Sequence, residues 1–568
     1  MGVGNLKYVL LNDGSNDYSH IEQTIFNNRG IYDIKEFKKC DSSLLCDYNN
    51  LKNIDAAYDC FVRHLENESN FCIVVDCDVD GYASASMLYK IIKHYNPNIY
   101  IQYLVHEGKE HGLGDVCDKI EDFINIVIIP DAGSNDVEDS LLLKEKGIDV
   151  IVLDHHNIEA QNTGAIVVNC KDGSYENPDL CGAGVVLKFL EKYDDQNWTQ
   201  YSQDYLDIVA FATLADMMDL TNKENRYIVK AGLHNLKSNF LNSLVENVYN
   251  FPKDFTTQDV QMKLVPLING CIRMGSQEDK KVLFKAFADI DSTVIFEREY
   301  RGKTYKEDIY KKAIRICTNA KNRQDSVVNK ATPIVVGQVE PESGFILCDL
   351  TDLKIKGLEV CTGLLANKLA NKYGKPCIIV RQNDGVIGGS GRNFSGSSVK
   401  SLKELLSKWS CFDQLQGHDN AFGVLVNDFE ELKNLCGKTH IPVKDKYVDF
   451  IIPNEEFRVG MISDAIKAQE CLGRGYEPIR FAITNVKVEN FQLIGEQNNH
   501  WKFVSDEEGI TFVNFNINND DKLAQIFNEN WEIDDNTYIN VIGSASLNYY
   551  NSIITPQIIV EEYEIIGG

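Results

Sequence analysis

The 568-residue sequence lacks long apolar runs, contains only 12 prolines and has no low-complexity segment. No segment reaches the roughly 18 consecutive apolar residues that a membrane span needs, so no association with a membrane is expected. The stretch from Met1 to Asp13 has no basic region, long apolar core or cleavage site, which excludes a secretion signal. These absences predict a globular protein of the cytoplasm, with several folded domains.

Closely paired cysteines are also missing. None of the 16 cysteines is spaced as CxxC, and several, such as Cys72 and Cys377, lie inside apolar runs that resemble strands. This pattern indicates buried free thiols in a reducing compartment rather than a structural zinc site.

Positive charge is scarce, because the formal net charge is −27. Affinity for nucleic acid comes largely from Lys and Arg, so a broad nucleic-acid-binding surface is not expected. Any such site must be a local groove, and bound metal ions must carry part of its positive charge.

Short apolar runs alternate with helical stretches between Phe71 and Asp219. The predicted strands are Phe71–Val75, Ile99–Leu104, Ile124–Ile129, Asp149–Leu153 and Ala165–Val168, and the predicted helices are Ser84–Tyr95, Val137–Lys146, Gly184–Tyr193 and Asp204–Leu214. This alternation predicts an α/β fold, with a parallel sheet flanked by helices. The functional groups of such sheets collect at the carboxyl ends of the strands.

The rest of the chain divides by composition. The predicted domains are an N-terminal segment with the first α/β domain at residues 1–235, a helical connector at 236–330, a second α/β domain at 331–440, and a connector with a small β-barrel at 441–568.

Four acidic or histidine clusters fall at the ends of predicted strands or helices. They are Asp76-Cys77-Asp78-Val79-Asp80-Gly81, Asp131, Asp154-His155-His156 and Asp216. An isolated Asp after a strand is often only the N-cap of the next helix, and an isolated His pair is often structural. Four such clusters around one parallel sheet would instead meet at one edge, where several carboxylates need cations to remain ionised. Carboxylates with one or two imidazoles suit Mn²⁺ or Mg²⁺.

Asp154-His155-His156 resembles the signature of the DHH phosphoesterases, and the first cluster resembles their first motif. The resemblance implies two bound ions and the metal ligands Asp78, Asp80, Asp131, His155 and Asp216, with Asp131 bridging the ions. It implies catalytic roles for Asp76, which would orient a ligand or bind metal weakly, and for His156, which would contact the scissile phosphate. Asp154 is a further candidate.

Two glycine-rich segments, Gly388–Arg392 and Gly417–Gly423, resemble the signatures of the DHH-associated domain. The resemblance implies that Ser390, Gly391 and Arg392 bind a terminal 5′ phosphate and that His418 contacts phosphate. A flexible turn and a turn histidine are the alternative interpretations of the same residues. A hydroxyl, backbone N–H groups and a guanidinium together suit a phosphate.

Further segments resemble RecJ, a member of the DHH superfamily. They are Asn28–Ile31, Leu51–Asp55, Glu224–Arg226, Pro266–Arg273, and Gly473–Pro478 leading to His500–Phe503. The resemblance adds Arg273 to the catalytic residues and implies a C-terminal OB fold. RecJ proteins usually carry a phosphate-binding arginine in the region of Tyr103–Gly112. This chain has none there and offers Lys109 or His106 instead. The barrel region is also acidic.

The implied function is a metal-dependent 5′→3′ exonuclease that degrades single-stranded DNA to nucleoside 5′-monophosphates, in recombination, repair or replication. Single-stranded-DNA-binding protein or a helicase would be further partners. One alternative is a phosphodiesterase of short oligoribonucleotides or cyclic dinucleotides. The other is a non-catalytic DHH scaffold in a replication assembly.

Overall fold

The computed structural model describes residues 6–11, 16–108, 110–249, 255–383, 385–495, 498–505, 509–515, 517, 521–534, 536–550 and 553–567. Among these residues, no helix is both long enough and apolar enough to cross a membrane.

The strands are β1 Val9–Leu10, β2 Phe71–Val75, β3 Ile101–Val105, β4 Ile126–Pro130, β5 Asp149–Asp154, β6 Ile166–Asn169, β7 Phe296–Tyr300, β8 Lys303–Glu307, β9 Ile346–Asp349, β10 Cys377–Asn383, β11 Val386–Arg392, β12 Phe412–His418, β13 Ala421–Val426, β14 Tyr447–Val448, β15 Phe450–Pro453, β16 Phe481–Lys487, β17 Glu489–Ile494, β18 His500–Val504, β19 Thr511–Asn514, β20 Tyr538–Tyr550 and β21 Ile553–Gly567.

The helices are α1 Ile21–Asn27, α2 Ile34–Lys39, α3 Ile54–Glu66, α4 Val79–Tyr95, α5 Val137–Glu145, α6 Gly182–Asn197, α7 Tyr201–Asp204, α8 Leu206–Ala215, α9 Lys223–His234, α10 Asn239–Tyr249, α11 Thr257–Asp259, α12 Val265–Met274, α13 Gln277–Phe287, α14 Ile309–Val336, α15 Thr362–Tyr373, α16 Leu402–Leu406, α17 Phe429–Lys438, α18 Val459–Leu472 and α19 Lys522–Asn530.

The chain forms two compact units, Asp41–Val443 and the combination of Met1–Cys40 with Lys444–Gly568. The sequence pattern groups the N-terminal segment with the first α/β domain, whereas the structure places it in the unit that holds the C-terminal residues. The predicted domain boundaries otherwise stay a proposal.

The larger unit begins with a five-stranded parallel sheet in the order β3-β2-β4-β5-β6. On one face, Cys72 and Val74 pack with Leu143 of α5. On the other face, Phe61 of α3 lies between Phe71 of β2 and Phe189 of α6. The central strands are buried on both faces, which explains their uninterrupted apolar sequence. The predicted parallel sheet with flanking helices is confirmed.

A second sheet in the same unit has the order β12-β13-β11-β10-β9. Only the β9–β10 pair is parallel, and the other pairs are antiparallel. The two segments that resemble the DHH-associated signatures lie on neighbouring strands of this sheet, with Ser390 opposite Gly423 and Arg392 opposite Ala421. Helix α15 packs on β10 and β11 and begins beside these residues.

In the smaller unit, a seven-stranded, mostly antiparallel sheet has the order β15-β16-β20-β21-β19-β18-β17. Strands β16 and β17 lie near opposite ends of this order, but only Val488 separates them in the sequence, so together they form one bent strand. This bent strand closes the sheet into a barrel. The predicted C-terminal OB-like barrel is confirmed.

The N-terminal segment belongs to this smaller unit for two reasons. Ile25 and Phe26 pack into its apolar core. Arg29 forms a buried ion pair with Asp449 at 2.7 Å and also donates to the carbonyl of Glu477. Contacts between positions more than 400 residues apart leave no local pattern in a sequence, so the sequence analysis missed this pairing.

A buried ion pair supports the first α/β domain. Lys188 Nζ lies 2.8 Å from Glu224 Oε1, and neither side chain is exposed. Tyr175 and Asn177 also donate hydrogen bonds to the Glu224 carboxylate. Breaking a buried pair leaves an uncompensated charge, which is strongly destabilising.

We therefore predict that Glu224→Ala lowers the free energy of unfolding by about 3–5 kcal/mol. The matched control is Glu297→Ala, which breaks an exposed pair with Lys306 at 3.1 Å and should cost no more than about 1 kcal/mol. Urea denaturation of the two variants makes the comparison. Similar midpoints would contradict the structural role of Glu224.

Candidate active site

Acidic and histidine side chains from separate elements meet at the carboxyl edge of the parallel sheet. They are Asp76 and Asp78 after β2, Asp80 in the first turn of α4, Asp131 after β4, Asp154, His155 and His156 at the end of β5, and Asp216 after α8. The parallel direction of the strands is the reason why residues as distant in the sequence as Asp76 and His155 come together, and Asp216 reaches the same group from the C-terminal end of α8.

His155 lies at the centre of one group. Its Nε2 is 3.2 Å from Asp131 Oδ1, 3.6 Å from Asp216 Oδ2 and 4.0 Å from Asp80 Oδ2. A second group contains Asp76, Asp78 and Asp131, whose carboxylate oxygens lie within 4.8 Å of one another. Asp131 therefore contributes to both groups, as a residue that bridges two ions must.

The donor set fits divalent cations. Burial, followed by the charge of Asp216, raises the pKa of Asp78 to about 6 and that of Asp80 to about 8. Burial and the neighbouring carboxylates also raise the pKa of Asp131 well above its usual range. Asp131 Oδ1 and Asp216 Oδ2 are buried and have no hydrogen-bond partner among the residues that the structure describes. Carboxylates crowded in this way need cations to stay ionised together at neutral pH.

His155 is suited to bind a metal because it is neutral. Burial lowers the pKa of His155 to about 4, so the ring is neutral at neutral pH and one of its nitrogens has a free lone pair. A metal-binding imidazole must be deprotonated.

The start of helix α6 holds this cluster in place. Asp80 accepts hydrogen bonds from the backbone N–H groups of Gly182 at 2.6 Å and Ala183 at 2.7 Å. A methyl group at Gly182 would collide with Asp131. Asp131 itself has a φ of 69°, a left-handed conformation that costs energy in a non-glycine residue. The roles of Gly182 and Ala183 were not predicted from the sequence, although Gly182 and Gly184 at the start of a helix were a visible signal.

Asp154 holds His156 instead of facing the other carboxylates. It accepts hydrogen bonds from the backbone N–H groups of His155 and His156 and lies 2.9 Å from His156 Nδ1. Burial would raise the pKa of Asp154, but the hydrogen bond and charge of His156 hold it well below its usual range. Burial would likewise lower the pKa of His156, and Asp154 instead raises it to about 9. His156 is therefore a cation at neutral pH.

His418, from the second sheet, completes this group. Its ring stacks on that of His156 with centroids 5.8 Å apart, and its Nε2 lies 3.8 Å from Asp216 Oδ1. The structure thus brings the two sequence segments predicted to contact phosphate to one site.

The segment after β3 places His106 beside the carboxylate cluster. His106 is buried, with Nδ1 2.5 Å from Asp115 Oδ1 and Nε2 3.8 Å from Asp76 Oδ1. Lys109 lies outside the described residues. The sequence analysis also missed His111, whose Nδ1 lies 2.6 Å from Asp76 Oδ2.

Ser390 and Arg392 lie together at the N-terminus of α15. Ser390 Oγ is 2.9 Å from Thr362 Oγ1, and a methyl group at Gly363 would collide with Arg392 Nη2. Arg392 Nη1 donates to the carbonyls of Gly391 and Phe422. The positive end of a helix dipole, hydroxyls and a guanidinium make this corner suited to an anion.

Arg273, near the end of α12, links this corner to the carboxylates. Burial, followed by the charge of Arg273, lowers the pKa of Arg392 to about 10. Burial also lowers the pKa of Arg273, and the charge of Asp78 opposes that effect. Among the described residues, neither guanidinium forms an ion pair with a carboxylate. Two close cations without anionic partners indicate an anion-binding site.

Two family models match the chain. The N-terminal domain of the DHH family matches residues 70–213, and the RecJ OB domain matches residues 448–562. The chain is 33% identical over 575 aligned residues to YorK of Bacillus subtilis (strain 168), a SPbeta prophage-derived protein whose name describes a single-strand DNA-specific exonuclease. That alignment covers 97% of each chain.

Two more distantly related RecJ proteins also match the chain. The chain is 23% identical to the single-stranded-DNA-specific exonuclease RecJ of Haemophilus influenzae, over 87% of this chain and 89% of that one. The crystal structure of RecJ from Thermus thermophilus in complex with Mn²⁺ matches with a TM-score of 0.74 at 17% identity. It covers 96% of this chain and 76% of that one.

We predict that the carboxylate cluster binds Mn²⁺ and that Asp131→Asn abolishes this binding. At a free Mn²⁺ concentration about 100-fold above the dissociation constant, binding should stabilise the wild type by about 2.7 kcal/mol. The measurement is the thermal unfolding temperature with Mn²⁺ and with chelator. Asp122→Asn, at an exposed position of the same unit, is the control. A shift with Mn²⁺ that survives in Asp131→Asn would contradict the predicted ligand set.

Proposed function

This chain belongs to the RecJ-like single-strand-specific exonucleases of the DHH family, and from that premise we propose that it is a metal-dependent 5′→3′ exonuclease of single-stranded DNA. Its products would be nucleoside 5′-monophosphates. The observation that carries the proposal is the buried cluster of Asp80, Asp131, His155 and Asp216, in which two carboxylate oxygens have no partner.

We propose two Mn²⁺ or Mg²⁺ ions as the cofactors, held by Asp78, Asp80, Asp131, His155 and Asp216. Two bound ions supply charge stabilisation at the scissile phosphate and an activated water. Support comes from the donor chemistry and from the Mn²⁺ and Mg²⁺ complexes of the Thermus RecJ.

The remaining residues orient the substrate. His156, held protonated by Asp154, would donate to a non-bridging oxygen of the scissile phosphate and stabilise the charge that develops there. His418, stacked on His156, would contact the same phosphate. His111 and His106 would fix the orientation of Asp76.

The 5′→3′ polarity would come from capture of the terminal phosphate. Ser390, Gly391 and Arg392 would bind it at the N-terminus of α15, and Arg273 would lie between this phosphate and the scissile one. A terminal phosphate carries more charge than an internal diester, so two guanidinium groups favour it.

The two alternatives make different demands on the chain. A phosphodiesterase of short oligoribonucleotides or cyclic dinucleotides would share the metal centre but has no need of the OB barrel, which this chain contains. A non-catalytic scaffold has no need of metal ligands, whereas every expected ligand is present here.

We further propose that the protein works in the cytoplasm, because its 16 cysteines are all free thiols, as in a reducing compartment. Single-stranded-DNA-binding protein or a helicase is proposed as an additional partner, on the resemblance to RecJ alone.

Digestion of a long 5′-phosphorylated single strand with Mn²⁺ tests this function. We expect nucleoside 5′-monophosphates to appear from the first turnovers, with no activity on the matching duplex. Asp131→Ala should reduce the rate by several orders of magnitude, because the two ions lose their shared ligand. Cleavage of only di- or trinucleotides would favour the first alternative, and no cleavage at all would favour the scaffold.

Arg392→Ala tests the origin of the polarity. A charge-assisted hydrogen bond contributes about 1.5–3 kcal/mol, so the preference for 5′-phosphorylated over 5′-hydroxyl strands should fall about 10- to 100-fold. Activity on the hydroxyl strand should fall much less, because the metal ligands are intact. The measurement is the ratio of kcat/KM for the two strands, in this variant and in the wild type. An unchanged ratio would show that Arg392 does not bind the 5′ end.

A further inference from the structure

An exposed β-hairpin interrupts the helical part of the larger unit. Strands β7 and β8 pair from Phe296 opposite Glu307 to Tyr300 opposite Lys303. The turn consists of Arg301 and Gly302, with φ values of 51° and 72°. Two residues with positive φ make the tight turn that suits the twist of a hairpin. The sequence pattern predicts a mainly helical region here, so this hairpin is a feature that the structure adds.

The register of the hairpin separates two kinds of side chain. Successive residues of a strand point to opposite faces, and paired residues share a face. One face, here called the aromatic–basic face, carries Phe296, Arg298, Tyr300, Lys303, Tyr305 and, at its base, the buried Glu307, whose Oε2 lies 3.7 Å from Arg298 Nε. The opposite face carries Glu297, Glu299, Thr304 and Lys306. Aromatic rings and most of the cations are therefore sorted to one side.

On the aromatic–basic face the rings and the guanidinium groups are stacked. The guanidinium carbon of Arg298 lies 4.8 Å from the ring centre of Tyr305 and 5.5 Å from that of Tyr300. Arg301 lies 5.2 Å from the ring centre of Tyr300. Tyr300 is 50% exposed and Tyr305 is 40% exposed. Such stacking holds the planar guanidinium groups in position before any ligand arrives, which reduces the entropy lost on binding.

Three cations at this face have no acidic partner. They are Arg301, Lys303 and Lys312, and none of them forms an ion pair with any described carboxylate. Lys312 lies at the start of α14, and its Nζ is 4.0 Å from the ring centre of Phe296. On the opposite face, Lys306 is paired with Glu297 at 3.1 Å. In a chain with a net charge of −27, unpaired cations gathered on one exposed face mark a local site for a polyanion.

We propose that the aromatic–basic face of the hairpin binds single-stranded DNA, as a contact with the substrate separate from the metal centre and from the corner of Ser390 and Arg392. This proposal rests on the proposed function for the identity of the polyanion. Bases stack on exposed tyrosines and on guanidinium planes, while Arg301, Lys303 and Lys312 neutralise phosphates. Such binding tolerates any sequence, as an exonuclease requires. An acidic peptide would use the cations but gains little from stacked aromatic groups.

Two double variants with the same loss of charge provide the test. Arg301→Ala with Lys303→Ala removes two cations of the aromatic–basic face, and Lys306→Ala with Lys311→Ala removes two exposed cations that are paired with Glu297 and Asp308. The probe is a long 5′-phosphorylated oligothymidine with a 3′ fluorophore, titrated with the full chain in chelator so that no cleavage occurs. Fluorescence anisotropy gives the dissociation constant over a range of salt concentrations.

The first double variant should bind about 10- to 25-fold more weakly at about 0.1 M salt, because each lost phosphate contact on a single strand reduces the salt slope by about 0.7. The control should change binding by less than about threefold. Tyr305→Ala, which leaves the charge intact, should weaken binding at least about fivefold with an unchanged salt slope. Equal binding by the two double variants would overturn the proposal. So would loss of binding to an acidic peptide, but not to DNA, in the first double variant.

Cleavage of a 5′-phosphorylated trinucleotide with Mn²⁺ separates this proposal from the proposed function. A strand this short is expected to reach only the metal centre and the corner of Ser390 and Arg392, so all the hairpin variants should cleave it at the wild-type rate. Failure of the wild type to cleave any single strand would contradict the proposed function, whereas the anisotropy result decides the hairpin by itself. Thermal unfolding temperatures within about 2 °C of the wild type would show that the exposed substitutions leave the fold intact.

Discussion

The structure depends on the repulsion among carboxylates that a parallel sheet brings to one edge. Asp78, Asp80 and Asp131 all have raised pKa values, because burial removes water while each carboxylate adds to the field at the others. Without compensation such an arrangement destabilises the fold. Divalent cations would turn the same repulsion into affinity, so the centre that costs stability in the free protein is the one that we propose to bind the ions.

Much of the surrounding structure keeps this cluster in position. The N–H groups at the start of α6 neutralise part of the charge of Asp80, and the absence of a side chain at Gly182 lets Asp131 approach in its strained left-handed conformation. Asp154 uses its hydrogen-bonding capacity on the backbone and on His156. Residues that look equivalent in the sequence thus have opposite tasks, since one set faces the ions and the other set holds the first in place.

The negative charge is concentrated at the carboxylate cluster, whereas the positive charge is confined to a few small sites. Arg273 and Arg392 are two partly buried cations that act on each other in the corner beside α15, and the hairpin carries its unpaired cations on one exposed face. A protein with a net charge of −27 repels a polyanion at long range. Binding must therefore come from such short-range sites, where guanidinium groups are oriented by helix ends and aromatic rings.

The sequence by itself determined the parallel sheet, the order of the four motifs, the donor chemistry and the family, because strand ends, turn glycines and ligand types leave local patterns. The limits of β2 were predicted residue for residue, from Phe71 to Val75. Only the tertiary structure decided that His106 is buried beside Asp115 and Asp76, and that residues near Arg29 fold with those near Asp449. It also decided the roles of Gly182 and His111 and the two-sided hairpin at Phe296–Glu307. These features arise from contacts between distant segments and from the competition between burial and charge, and neither is encoded in the spacing of nearby residues.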